Sequence, residues 1–132
     1  MISRRYLLTL LGAPVVLHAA PGPQMAATIP DPVPPWVRLV LHFDHRDDLA
    51  TVGEACLCNR LTLRDSDAER IYRALVQWVG APTGHPREIL AALPERIAAD
   101  FECGAMESVD GWQLSHTEAL LAILASKSVS CI

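Results

Sequence analysis

At 132 residues the chain has room for one domain with a modest core and none for a second. Its 15 acidic and 11 basic residues give a formal charge of −4, and Lys127 is the only lysine. It therefore lacks the phosphate-neutralising surface that nucleic acid requires, and anionic lipid is excluded on the same ground.

Arg4 and Arg5 are the only charged residues before Asp31. From Leu7 to Ala20 the chain is apolar apart from Thr9 and His18, short of the ~20 residues that a bilayer-spanning helix needs, and Gly12 and Pro14 interrupt it. The segment reads as a cleavable address and not as a membrane anchor. The run Ser3-Arg4-Arg5-Tyr6-Leu7-Leu8 resembles the twin-arginine export signal of bacteria, with Leu7 and Thr9 where that family usually has an aromatic residue and a lysine. The resemblance implies passage as an already folded chain to the periplasm or beyond, with the twin-arginine translocase as a transient partner and no stable membrane insertion after processing. Small residues near Ala19 and Ala26 offer cleavage sites, whereas Pro21 disfavours a cut directly after Ala20. Removal of Arg4 and Arg5 takes the formal charge from −4 to −6.

Six of the ten prolines fall between Pro21 and Pro35, among small residues, which marks a linker of polyproline character. The chain divides into a signal over 1–27, a Pro-rich linker over 28–35 and one helical domain over 36–132. The stretch from Val37 to Phe43 alternates as a strand would, with Val37, Leu39, Leu41 and Phe43 on one side; a short helix fits almost as well. Asp47 and Asp48 open a helix to about Cys58, whose apolar stripe contains Leu49, Val52, Gly53, Cys56 and Leu57 and leaves Cys58 outside.

Ser66 and Glu69 form an S-x-x-E capping box for a helix from Asp67 to Val79, stopped by Gly80 and Pro82. Its inward face carries Ala68, Ile71, Tyr72, Leu75, Trp78 and Val79. A further helical region begins at Pro86, and Pro94 is expected to kink it or split it in two. Asp110-Gly111, between Met106–Val109 and Trp112–Leu114, predicts a hairpin, because both turn positions tolerate positive φ. Ser115 and Glu118 then form a second capping box and launch a helix to about Lys127. Leu120, Leu121, Ile123 and Leu124 spread widely around it, so it is either central in the domain or covered by a partner. The fold class is mainly α, with a minor two-stranded β-ribbon near the C-terminus.

Little in the chain reads as chemistry. His42-x-x-His45 with Cys56-x-Cys58 has a mixture of ligand types suited to zinc or cuprous copper, but a C-x-C on a helix splays its side chains, and solvent-facing histidines explain the pattern better. No metal and no cofactor are therefore assigned. Ser115 and His116 are neighbours at a helix start and do not face each other, so they do not make a nucleophile and its base. The pairs Asp47 and Asp48, and Asp65 and Asp67, suit helix starts better than acid–base work. No catalytic residue emerges.

Cys56, Cys58, Cys103 and Cys131 all lie beyond the signal and are candidate disulfide cysteines; any bridge would be a late staple, since export by this route follows folding. Trp112, beside the hairpin tip, either covers the end of the last helix or anchors an interface, and Leu120, Leu121 and Leu124 are candidates for the same interface.

The C-terminal pattern Ile97-x-x-Asp100-Phe101-x-x-Gly104, leading into Val109-Asp110-Gly111-Trp112-x-Leu114-Ser115-x-Thr117-Glu118, resembles one found in short twin-arginine-exported bacterial proteins without an assigned activity. It implies a small exported helical protein. By size and signal alone the chain is also similar to the small subunits of periplasmic flavin dehydrogenases, which carry the export signal for a larger catalytic subunit. The expectation is an exported, non-enzymatic accessory subunit with a protein partner, and the alternative is a stand-alone periplasmic protein that binds metal or a small ligand through His42, His45 and the cysteines.

Overall fold

A computed structural model describes residues 33–59, 63 and 65–131, so the expected signal and most of the expected Pro-rich linker lie outside the described residues. Among the described residues the elements follow in the order α1 (Pro35–Val40), α2 (Arg46–Asn59), α3 (Ala68–Val79), α4 (Pro86–Cys103), β1 (Met106–Val109), β2 (Trp112–Ser115) and α5 (His116–Cys131). About 70% of the described chain is helical, which makes the domain mainly α with a two-stranded antiparallel ribbon.

The core is arranged around α5. Every residue from Thr117 to Ser126 is buried, and α1, α2, α3, α4 and both strands all touch this helix. Such a helix needs apolar or small side chains on all sides, and Ala119, Leu120, Leu121, Ala122, Ile123, Leu124 and Ala125 provide them. Burial of each leucine contributes about 1.5–3 kcal/mol. The hydroxyls of Ser126 and Ser128, also buried, donate back to the carbonyls of Ile123 and Ala125 at 2.7 and 2.8 Å.

The segment after the linker is a helix and not a strand. Pro35 occupies its first turn, where a missing N–H costs nothing. Trp36, Leu39 and Val40 turn inward at helical spacing, while Leu41, which a strand would bury, is 47% exposed. In α2, Leu49, Val52, Cys56 and Leu57 are buried as the stripe predicts, and Cys58 is exposed.

The cap of α3 differs from expectation by one residue. Asp67, not Ser66, holds the N-cap, and its Oδ1 accepts from the Arg70 N–H at 2.8 Å. A carboxylate at the positive end of a helix is a stronger acceptor than a hydroxyl. Gly80 ends the helix in the left-handed region at φ 79°. Pro94 does not split the next element: α4 is one continuous helix of 18 residues. Pro94 is exposed, while Leu93, Ile97 and Asp100 bury the core-facing stripe of the helix before and after it. Packing of that face outweighs the local cost of the ring.

The hairpin pairs Met106 with Ser115, Glu107 with Leu114, Ser108 with Gln113 and Val109 with Trp112. Asp110 at φ 48° and Gly111 at φ 85° make the tight turn. This register directs Val109, Trp112 and Leu114 to one face, and that face meets the helices.

Candidate functional site

Asp100, which no motif in the sequence marks as functional, is the most highly connected polar residue described. Its side chain is 0% exposed, yet its carboxylate accepts from four donor groups on three helices. The Trp78 indole N–H donates to both oxygens at 3.0 and 3.3 Å. The Arg96 Nε–H donates at 2.9 Å from one turn back on α4. Thr117 donates its backbone N–H at 2.9 Å and its hydroxyl at 2.6 Å. Burial by itself would raise the pKa of this carboxyl, but the hydrogen bonds from Thr117, Arg96 and Trp78 together outweigh it and hold it below its ordinary value.

This arrangement is structural in its chemistry. The donors take up the lone-pair sites of the carboxylate, and a lowered pKa is the opposite of what a general base working near neutrality needs. It also completes the buried start of α5. The His116 N–H donates to the Ala105 carbonyl, Thr117 to Asp100, and Glu118 to Ser115 Oγ at 3.0 Å. Glu118 in turn accepts the Ser115 N–H at 2.8 Å, so the predicted capping box is present in full. Two carboxylates therefore sit at the positive end of the most buried helix.

Around the outside of this network the Arg96 guanidinium lies 4.7 Å from the Trp78 ring centre, and the His116 ring meets Trp78 edge-on at 4.5 Å. His116 Nδ1 is 3.6 Å from the Glu107 carboxylate. Trp78, Gly104, Ala105, Met106, Glu107 and His116 line a shallow pocket of about 220 Å³. Ser115 is fully buried with its hydroxyl engaged at the cap, while His116 turns to Trp78 and Glu107, so the two neighbours diverge.

A second concavity, of about 340 Å³, lies between α2 and the hairpin tip. Asp48, Thr51, Val52 and Ala55 form its helical wall at spacings of three and four, and Val109, Asp110 and Trp112 form the other. Trp112 packs against the core while remaining half-buried at this opening. The other three candidate interface residues are placed differently. Leu120 is 3% exposed and Leu121 and Leu124 are 0% exposed, all within the chain's own core, so this fold does not offer them to a partner. Of the two readings of the last helix, central or partner-covered, its position is central.

The remaining candidates do not converge. His42 and His45 lie exposed around the end of α1 and the start of α2, Cys56 is buried and Cys58 and Cys103 are exposed thiols. Among the described residues no three His, Cys, Asp or Glu side chains come together as a metal ion would need. The side chain of Cys131 and the whole of Arg4 and Arg5 lie outside the described residues. Among the described residues no helix is long and apolar enough to cross a membrane. The signal for Asp100 is in the spacing: it continues the Leu93 and Ile97 stripe of α4, which puts an acid on a core face. Nothing in one dimension identifies Trp78 and Thr117 as its partners. No protein-family model, no curated protein and no solved structure matches this chain.

Proposed function

We propose that this chain is an exported, non-catalytic accessory or escort subunit that acts through protein–protein contacts. Trp112 carries the proposal. It presents part of a rigid indole at an open groove beside the hairpin tip, and a tryptophan so placed contributes large contact area for little loss of entropy. The resemblance of Ser3 to Leu8 to a twin-arginine signal supplies the export half of the reading, by a route that carries folded cargo. By analogy of size and signal with the small subunits of periplasmic flavin dehydrogenases, the partner class is a periplasmic oxidoreductase without a signal of its own. The acidic balance of the chain favours a protein surface over nucleic acid or anionic lipid.

The test is purification of a C-terminally tagged chain from the periplasm of its native host. A companion present in stoichiometric amount is the expected result. A pure monomer recovered from wild-type cells, or a chain retained in the cytoplasm, overturns the proposal.

A further inference from the structure

The groove between α2 and the hairpin tip has a charge pattern that specifies its occupant more closely than the accessory reading, on which this inference rests. Its floor and walls are apolar at Val52, Ala55, Val109 and Trp112, and its two charged residues, Asp48 and Asp110, are both acidic. The Asp48 side chain is 67% exposed, with His45 Nδ1 at 4.0 Å from its carboxylate, and Asp110 is exposed at the turn. No arginine or lysine lines the groove; the nearby Arg46 donates instead to the carbonyls of Leu41 and Phe43. Asp48 has a local explanation in the positive end of α2. Asp110 has none of that kind, since a turn position at φ 48° is served as well by uncharged asparagine.

We infer that this groove accepts an apolar side chain of a partner protein's segment that is flanked by arginine or lysine. The apolar side chain would lie on Trp112 and Val52, and the flanking cations would meet Asp48 and Asp110. A free small molecule suits the site less well, because such ligands need most of their surface enclosed, whereas a groove rimmed by exposed aspartates leaves one side in water.

The probe is a synthetic peptide with two leucines flanked by arginines, and its control has glutamates in place of the arginines. The full chain is titrated at pH 8, above the range where imidazoles titrate, with the Trp112 indole N–H followed by NMR. The arginine peptide is expected to shift that resonance and the glutamate peptide is not. Asp48→Asn with Asp110→Asn, substitutions that keep shape and turn geometry, should weaken binding about threefold to tenfold at low salt, with the difference shrinking in high salt. Equal binding of the two peptides, an unmoved Trp112 resonance, or an unchanged affinity in the double variant overturns the inference. So does a Trp112 shift that follows protein concentration, which makes a second copy the occupant, or one that Arg4→Gln with Arg5→Gln abolishes in the free chain, which makes the chain's own N-terminus the occupant. The accessory reading stands or falls separately, on whether a companion co-purifies.

Discussion

Thr117 donates both its backbone N–H and its hydroxyl to the same oxygen of Asp100, at 2.9 and 2.6 Å. The residues are 17 apart in sequence, so this contact fixes the register of α4 against the first turn of α5, with the whole ribbon in between. Asp100→Asn replaces an acceptor by an amide whose NH₂ faces donors. It is expected to lower unfolding free energy by about 2–4 kcal/mol. Thr117→Val keeps the backbone bond and removes the hydroxyl one, at about 1–2 kcal/mol. Urea denaturation of both singles and the double should show coupling, since the substitutions share one partner. Strictly additive losses would show that the two act independently.

The same site sets an acid limit. The Asp100 pKa is lower in the folded chain than its ordinary 3.8. A carboxyl depressed by folding contributes stability that is fully present above its unfolded pKa and is lost as pH falls through the folded one. The stability advantage of the wild type over Asp100→Asn should therefore be constant from neutrality to about pH 5 and shrink below pH 4. Thermal denaturation across that range checks it, and an advantage that grows on acidification would contradict the assignment.

The elements governed by local rules were legible in the sequence. Asp110-Gly111 set the hairpin and Ser115 with Glu118 set the start of α5, because each depends on residues within four positions. One departure is local, the carboxylate of Asp67 taking the cap of α3 in place of the Ser66 hydroxyl; the others arose where long-range packing decided. Alternation in Val37–Phe43 favoured a strand, but Trp36, Leu39 and Val40 have a core to enter only as a helix. The composition of α5 left two environments open, core or interface, because burial by one's own chain and by another's select the same side chains. The Trp112 groove needed the fold to bring α2 to the hairpin tip, and the partners of Asp100 needed three helices to meet.

Pro94 makes the balance between local cost and packing measurable. An interior proline removes one helical hydrogen bond and crowds the preceding turn, at about 3 kcal/mol relative to alanine. Because Pro94 is exposed and α4 is continuous around it, Pro94→Ala should stabilise the chain by about 1–3 kcal/mol without changing the fold. Circular dichroism and thermal denaturation would register the gain. A loss of stability would mean that the ring has packing of its own.

Cysteine reactivity reads out burial directly. Cys58 and Cys103 are exposed thiols, and Cys56 is buried with 0% exposure. In the native chain an alkylating reagent followed by peptide mass mapping should modify Cys58 and Cys103 rapidly, with Cys56 modified only after denaturant is added. Rapid native labelling of Cys56 would place α2 differently against α5.

Gly53 tests that same interface from the other side. A Cβ built there would lie 1.9 Å from the carbonyl oxygen of Ala122 and 2.5 Å from its carbon. Both are backbone atoms of the central helix, so no rotamer change relieves the overlap; α2 and α5 must separate, and the core between Leu49, Cys56 and Leu121 opens with them. In an ordinary helix interior Gly→Ala gains about 1 kcal/mol in propensity. Here the sign should reverse, with Gly53→Ala lowering stability by about 2–4 kcal/mol or preventing folding, as overpacking against a rigid neighbour does. Asn59, exposed on the last turn of the same helix, provides the comparison: Asn59→Ala should change stability by less than about 0.5 kcal/mol. A Gly53→Ala chain as stable as the wild type in urea would show that the two helices do not approach this closely.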